Sequence, residues 1–159
     1  MHTIHTLRLP PRHGILNGMQ ADYWLKQDGE PLFPDLLWSR PEMKHAAGKL
    51  LIIGGNAHSF AAPAAGYTTA EKAGIGIARV MLPDSLAKTV KKVFPEAEYA
   101  PSNPSGGFSA AALAEMLDAA HWADGVLLAG DFGRNSESLA MLENFAGKYS
   151  GQLTITKDA

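Results

Sequence analysis

The chain has 159 residues, a formal net charge of −2 at pH 7 and no cysteine. That length suits one domain with a sizeable core and is short for two. The charge balance speaks against nucleic acid or an anionic membrane as the main partner. The lack of thiols excludes disulfides, a cysteine nucleophile and cysteine-held zinc or iron–sulfur centres.

Residues 1–40 read as an irregular extension. Pro10, Pro11, Gly14, Gly18, Gly29, Pro31 and Pro34 interrupt any sustained period. Trp24, Leu25, Leu32, Phe33, Leu36, Leu37 and Trp38 still supply apolar surface, so the composition is not that of a disordered tail. The opening Met1–Pro11 has no long apolar core behind a basic start, and no window approaches the roughly 18 uninterrupted apolar residues of a membrane span. The expected compartment is the cytoplasm.

Residues 41–159 carry a regular pattern. Leu50–Ile53 is an apolar run without alternation, as expected of a strand covered on both faces. Gly54-Gly55-Asn56 makes a turn, and Ser59–Ala73 has helical composition, with Pro63 tolerable in the first turn. Gly74 and Gly76 bracket the exit into a second strand, Ile77–Leu82. Asp84 or Ser85 is expected to cap a helix through Val93, with Leu86, Val90 and Val93 on its buried face. Glu98–Ala100 reads as a short strand and Pro101–Gly107 as a turn-rich loop. Ser109 is expected to cap a helix over Ala110–Ala120. Gly125–Ala129 is a third buried strand, Ser136–Tyr149 a helix with Asn135 or Ser136 as its cap, and Leu153–Thr156 a further strand, expected to be central. Such alternation predicts a parallel sheet with right-handed crossovers and helices on both faces. A central strand so near the end of the chain suggests the front part of a longer protein.

In parallel sheets ligands sit beyond the carboxyl ends of the strands. Two turns fall there, Gly54–Phe60 and Gly130–Ser136. In the first, the small residues Gly55, Asn56, Ala61 and Ala62 would let a ligand approach the backbone, with free N–H groups at the helix start facing an anion. His58 is the one histidine in such a turn. In the second, Asp131 and Arg134 could contact a polar ligand, although a plain turn with a helix cap accounts for most of those residues. Lys88, Lys91 and Lys92 read as a solvated helix face. Neither Gly-x-Gly-x-x-Gly nor Gly-x-x-x-x-Gly-Lys-Ser/Thr occurs, so a dinucleotide fingerprint and a P-loop are absent. The histidines share no spacing suited to a metal.

Taken in order, Lys44, Gly48, Lys49–Ile53, Gly55-Asn56, Ala61-Ala62, Lys72-Ala73-Gly74-Ile75-Gly76, Pro95-Glu96, Ala129–Arg134 and Asp158-Ala159 resemble the ADP-dependent NAD(P)H-hydrate dehydratase family. The resemblance covers residues 40–159. It implies a ribokinase-like three-layer αβα fold with a mostly parallel sheet, incomplete in this chain. It also implies a repair reaction in which ADP, or ATP in some members, phosphorylates the hydroxyl of NAD(P)HX, after which phosphate elimination restores NAD(P)H. Magnesium ions would shield the phosphates, and the full-length protein would form a homo-oligomer. Gly55, Asn56, Ala61, Ala62, Gly130, Asp131 and Gly133 would line the hydrate pocket.

Two departures stand out. Asn56 replaces a serine, and Asp131 replaces the middle glycine of a Gly-Pro-Gly-Leu-Gly-Arg turn, where a carboxylate would repel phosphate unless it points away. The family's Pro-His and its Gly-x-Gly-Asp, source of the catalytic aspartate, have no match here, so no catalytic residue is assigned. A ribokinase-like small-molecule kinase and a non-catalytic nucleotide- or partner-binding homologue are the competing readings.

Overall fold

A computed structural model describes residues 43–157 and 159 of the chain. The expected extension over residues 1–40, with His2, His5 and His13, lies outside the described residues, as does Asp158.

Five strands form one sheet: β1 (Lys49–Gly54), β2 (Ile77–Pro83), β3 (Glu98–Ala100), β4 (Gly125–Gly130) and β5 (Gln152–Ile155). Their order is β3-β2-β1-β4-β5, and every pairing is parallel. The connections carry α1 (Ala61–Ala73), the single turn α2 (Ala87–Val90), α3 (Ala112–Trp122) and α4 (Ser136–Lys148).

The unbroken apolar run of β1 has a direct explanation in the two cores. Leu51 and Ile53 enter one cluster with Ala112, Met116 and Ala120 of α3 and with Met141, Leu142 and Phe145 of α4. Ile52 enters the other with Val80, Leu82, Leu86 and Val90. Successive side chains point to opposite faces, so a strand covered on both sides needs apolar residues at every position. On the α1 side the packing is close. A Cβ on Gly66 would lie 3.3 Å from Leu127 and 3.5 Å from Ile52, so the missing side chain lets the helix settle onto the sheet.

At the carboxyl end of β1 the pairing with β4 slips. Ile53 faces Leu128, but Gly54 faces Gly130, leaving Ala129 as the extra residue of a bulge. A Cβ on Gly54 would come within 2.6 Å of the Gly130 carbonyl oxygen. Glycine therefore permits the two strands to draw together where their turns begin.

Three expectations need correction. The helix after β2 is shorter than predicted, a 3-10 turn over Asp84–Leu86 followed by α2, which ends at Val90. Leu86 and Val90 are buried, but Val93 lies beyond the helix and is 76% exposed. Ser109 does not cap α3; its hydroxyl donates to the Pro101 carbonyl at 3.1 Å, and the helix starts after Ala111 with no side-chain cap. The loop drew the serine away from the helix terminus. Similarly, Ser59 does not begin α1, which starts at Ala61. β5 pairs with β4 alone among the described residues and is largely exposed, which leaves that side of the sheet open, as expected. Asn135 behaves as expected, its Oδ1 accepting the Glu137 N–H at 2.8 Å.

Ile52 is fully buried in the centre of the sheet. Ile52→Ala should lower the unfolding free energy by about 2–5 kcal/mol in urea denaturation. Val93→Ala should change it by no more than about 0.5 kcal/mol. Equal losses would place Val93 in the core after all.

Candidate functional site

Parallel pairing sets the carboxyl ends of β1, β3 and β4 on one rim of the sheet, and three loops leave from there. The loop after β1 runs from Gly55 to Phe60. The loop after β4 runs from Asp131 to Asn135, and that after β3 from Pro101 to Phe108.

The first two loops are bonded together directly. Gly55 N–H donates to the Gly130 carbonyl at 3.0 Å, and the Asn56 amide donates to the Asp131 carbonyl at 2.5 Å. Asp131 itself adopts φ 61°, the only positive-φ residue other than glycine among the described residues. Aspartate tolerates this left-handed conformation better than most residues. The conformation turns its carboxylate towards α1, where Oδ2 accepts the Ser59 hydroxyl at 2.9 Å and the Ala62 N–H at 2.8 Å. An anion does sit at the helix start, as the small residues Ala61 and Ala62 suggested. It is the chain's own carboxylate, so the expectation of free N–H groups facing a ligand is corrected: Ala62 N–H is taken.

The third loop is organised by Asn103, which is 5% exposed. Its amide nitrogen donates to the Phe108 carbonyl and to the Ser138 hydroxyl, and its oxygen accepts from Ser105 Oγ at 2.7 Å and from Gly107 N–H at 3.1 Å. Ala57 N–H donates to the Gly106 carbonyl at 2.9 Å, and the Asn135 amide donates to Ser105 Oγ at 2.8 Å. Gly106 is at φ 83°, and a Cβ there would collide with the Ala57 methyl. Glycine alone therefore brings this loop against the first.

Between the three loops lies a cavity of about 260 Å³. Asn56, His58 and Ser59 line it from the first loop, Ser105 and Gly107 from the second of the chain's order, and Phe132, Gly133, Arg134 and Asn135 from the last. Phe132 closes it from beneath, buried with its ring 5.9 Å from that of Phe108. Of the residues singled out from sequence, Asn56, His58, Gly133 and Arg134 line the cavity. Gly55 and Gly130 are buried next to it, and Asp131, Ala61 and Ala62 form the α1 junction. Ser105, Gly107 and Asn135 were missed as site residues. Their signal was the Asn103-Pro104-Ser105-Gly106-Gly107 turn sequence, but only long-range pairing shows which strand end it meets.

Other residues from the motif set serve the scaffold. Gly74 ends α1 at φ 87°, its N–H bonded to the Ala70 and Glu71 carbonyls. A Cβ on Gly76 would strike the Lys44 carbonyl, at the amino end of β2 away from the cavity. Glu96 accepts the Tyr67 hydroxyl at 3.2 Å. Burial, and then the Glu96 carboxylate, push the Tyr67 phenol above its ordinary pKa. Lys88, Lys91 and Lys92 are exposed, but only Lys88 lies on α2, since Lys91 and Lys92 follow its end at Val90. A separate cleft of about 270 Å³ holds Arg79 and Trp122. There the guanidinium is 3.8 Å from the indole centroid and 3.5 Å from the Glu98 carboxylate. No group of three histidine, aspartate or glutamate residues that could hold a metal ion occurs among the described residues, and no described helix is long and apolar enough to cross a membrane.

The Asp131 junction is testable through stability. Asp131→Ala keeps the left-handed backbone and loses the carboxylate, so it should cost about 1–2 kcal/mol in chemical denaturation. Asp131→Gly loses the same hydrogen bonds but relaxes the backbone, so it should cost less. Equal costs would show that φ at this position carries no strain.

No known family profile matches the chain, and no curated protein matches it. A solved structure does match, that of a ribokinase-like superfamily protein from Enterococcus faecalis V583. It shares 18% identity and a TM-score of 0.55 over 73% of this chain. The chain spans 39% of that protein's length. At this identity the likeness is one of fold: the described residues form an open, incomplete α/β sheet of the ribokinase-like kind.

Proposed function

We propose that the rim cavity is a substrate pocket for a hydrated nicotinamide nucleotide, and that the chain contributes this half-site to an ADP-dependent NAD(P)H-hydrate dehydratase. One observation carries the reading. The two small-residue turns, Gly54–Asn56 and Gly130–Gly133, meet at the carboxyl ends of adjacent strands and border a cavity. The ordered motif resemblance and the ribokinase-like fold neighbour support the same assignment.

In this reading the chain's residues bind and orient. The Asn56 and Asn135 amides are fixed by hydrogen bonds to Asp131 and Ser105, and rigid polar groups lose little entropy when a ligand arrives. The backbone at Gly133 is open to a ligand because no Cβ covers it. The described residues do not fit a magnesium ion, because they hold no ligating cluster and Asp131 gives Oδ2 to Ser59 and Ala62. ADP or ATP and Mg²⁺ accordingly enter the proposal as requirements of the reaction, with no seat assigned here. Proton abstraction is not assigned either, since Gly-x-Gly-Asp is absent from the 159 residues.

Purified 159-residue chain should therefore show no ADP-dependent loss of NADPHX. It should still bind NADPHX, with amide chemical-shift changes confined to Asn56–Ser59, Ser105–Gly107 and Phe132–Asn135. Turnover by this chain alone would overturn the division of labour. Shifts centred on the Arg79–Trp122 cleft instead would remove the pocket assignment. A second reading, a binding module without catalysis, is favoured by the internal carboxylate at the α1 start. Calorimetry distinguishes them, since the absence of heat with ADP, ATP and NADPH together would select a partner-binding role. Binding of a small alcohol in place of the hydrate would select the small-molecule kinase.

A further inference from the structure

Arg134 and His58 stand out once the other polar groups around the cavity are accounted for. The Asn56 side chain is used in both directions, donating to the Asp131 carbonyl and accepting from the His58 N–H. Ser59 donates to Asp131, and Ser105 is engaged by Asn103 and Asn135. Arg134 lines the same cavity, is exposed, and forms no ion pair among the described residues. The His58 imidazole likewise lines the cavity and is exposed without an ion pair among them. Arg79 provides the contrast, since Glu98 and the Trp122 ring already satisfy its charge.

The single carboxylate in these two turns cannot serve as the missing partner. Asp131 Oδ2 is committed to Ser59 and to the amino end of α1, where the helix dipole offsets its charge. An incoming anion would meet repulsion there and attraction at Arg134. A planar guanidinium also matches the oxygens of phosphate in a bidentate fork.

We propose that the cavity takes a phosphate-bearing ligand with its anionic group at the mouth, between Arg134 and His58, and not on the amino terminus of α1, whose seat Asp131 fills. This rests on the substrate-pocket reading above and assigns the ligand's orientation within it. The uncharged part of the ligand then lies inward, over Gly133 and beside Asn56, and the phosphate faces outward.

The test uses the ¹⁵N-labelled 159-residue chain with two probes, inorganic pyrophosphate and the uncharged reduced nicotinamide riboside. Pyrophosphate should shift the amides of His58 and Gly133–Asn135 and leave those of Ala61 and Ala62 in place. Arg134→Gln, at an exposed position, should weaken that binding roughly tenfold, as expected for a charged hydrogen-bonded contact. Arg134→Lys, which keeps the charge but loses the fork, should fall between the two. Asp131→Gly should add shifts at Ala61 and Ala62, because the helix start becomes free. Shifts at Ala61 and Ala62 in the wild-type chain, or unchanged affinity in Arg134→Gln, would overturn the inference. Riboside binding in the cavity without any pyrophosphate response would also overturn it, while leaving the pocket reading intact. Failure of both probes to bind would sink both.

Discussion

The Asp131 carboxylate fastens together two stretches of chain 69 residues apart, accepting the Ala62 N–H at the start of α1 and the hydroxyl of Ser59. Around that one oxygen the turn after β1 and the turn after β4 become a single unit. A charged acceptor at a helix start is favourable twice over, through the hydrogen bond and through the dipole. The same bond decides what the helix start can do for a ligand. A protein that used α1 as an anion cradle would leave those N–H groups open; this one closes them internally. The exposed charge of Arg134, at the cavity, is the one the proposed anionic group would meet.

Beneath the junction, the sheet works because each central strand is apolar on both faces. The division of Leu51 and Ile53 from Ile52 between two separate clusters makes β1 the element from which both layers hang. The cavity inherits rigidity from this arrangement, since two of its three loops leave the buried ends of β1 and β4. Their internal hydrogen bonds, centred on Asn56, Asn103 and Asp131, add order at positions where loops would otherwise be free to move. A cavity held in this way would admit a ligand with little rearrangement.

The likeness to a ribokinase-like protein in fold, over 39% of that protein's length, sits comfortably with this picture of a half-site. Polar side chains line the described rim, whereas no group of three potential metal ligands occurs among the described residues. Fold alone does not specify chemistry. The distinction between a dehydratase, a kinase and a binding module thus rests on what the cavity admits.

Much of this was legible from the residues. Unbroken apolar runs gave β1 and β4, because coverage on both faces demands them, and an alanine-rich segment between two glycine turns located α1. The small residues of the two turns marked the rim where they converge. Local pattern failed where a side chain had a distant competitor. Ser109 bonds the Pro101 carbonyl instead of capping α3, and Val93, apolar and at helical spacing, falls beyond the last turn of α2 and faces solvent. The part played by the Pro101–Phe108 loop was equally invisible, since it depends on Gly106 meeting Ala57, a residue 49 positions earlier in the chain. Sequence by itself determined the strands, the main helices and the two turns, for these follow from periodicity and glycine content. Only the tertiary structure decided which way Asp131 points, because that direction is fixed by hydrogen-bond donors that parallel strand pairing, and nothing local, brings within reach.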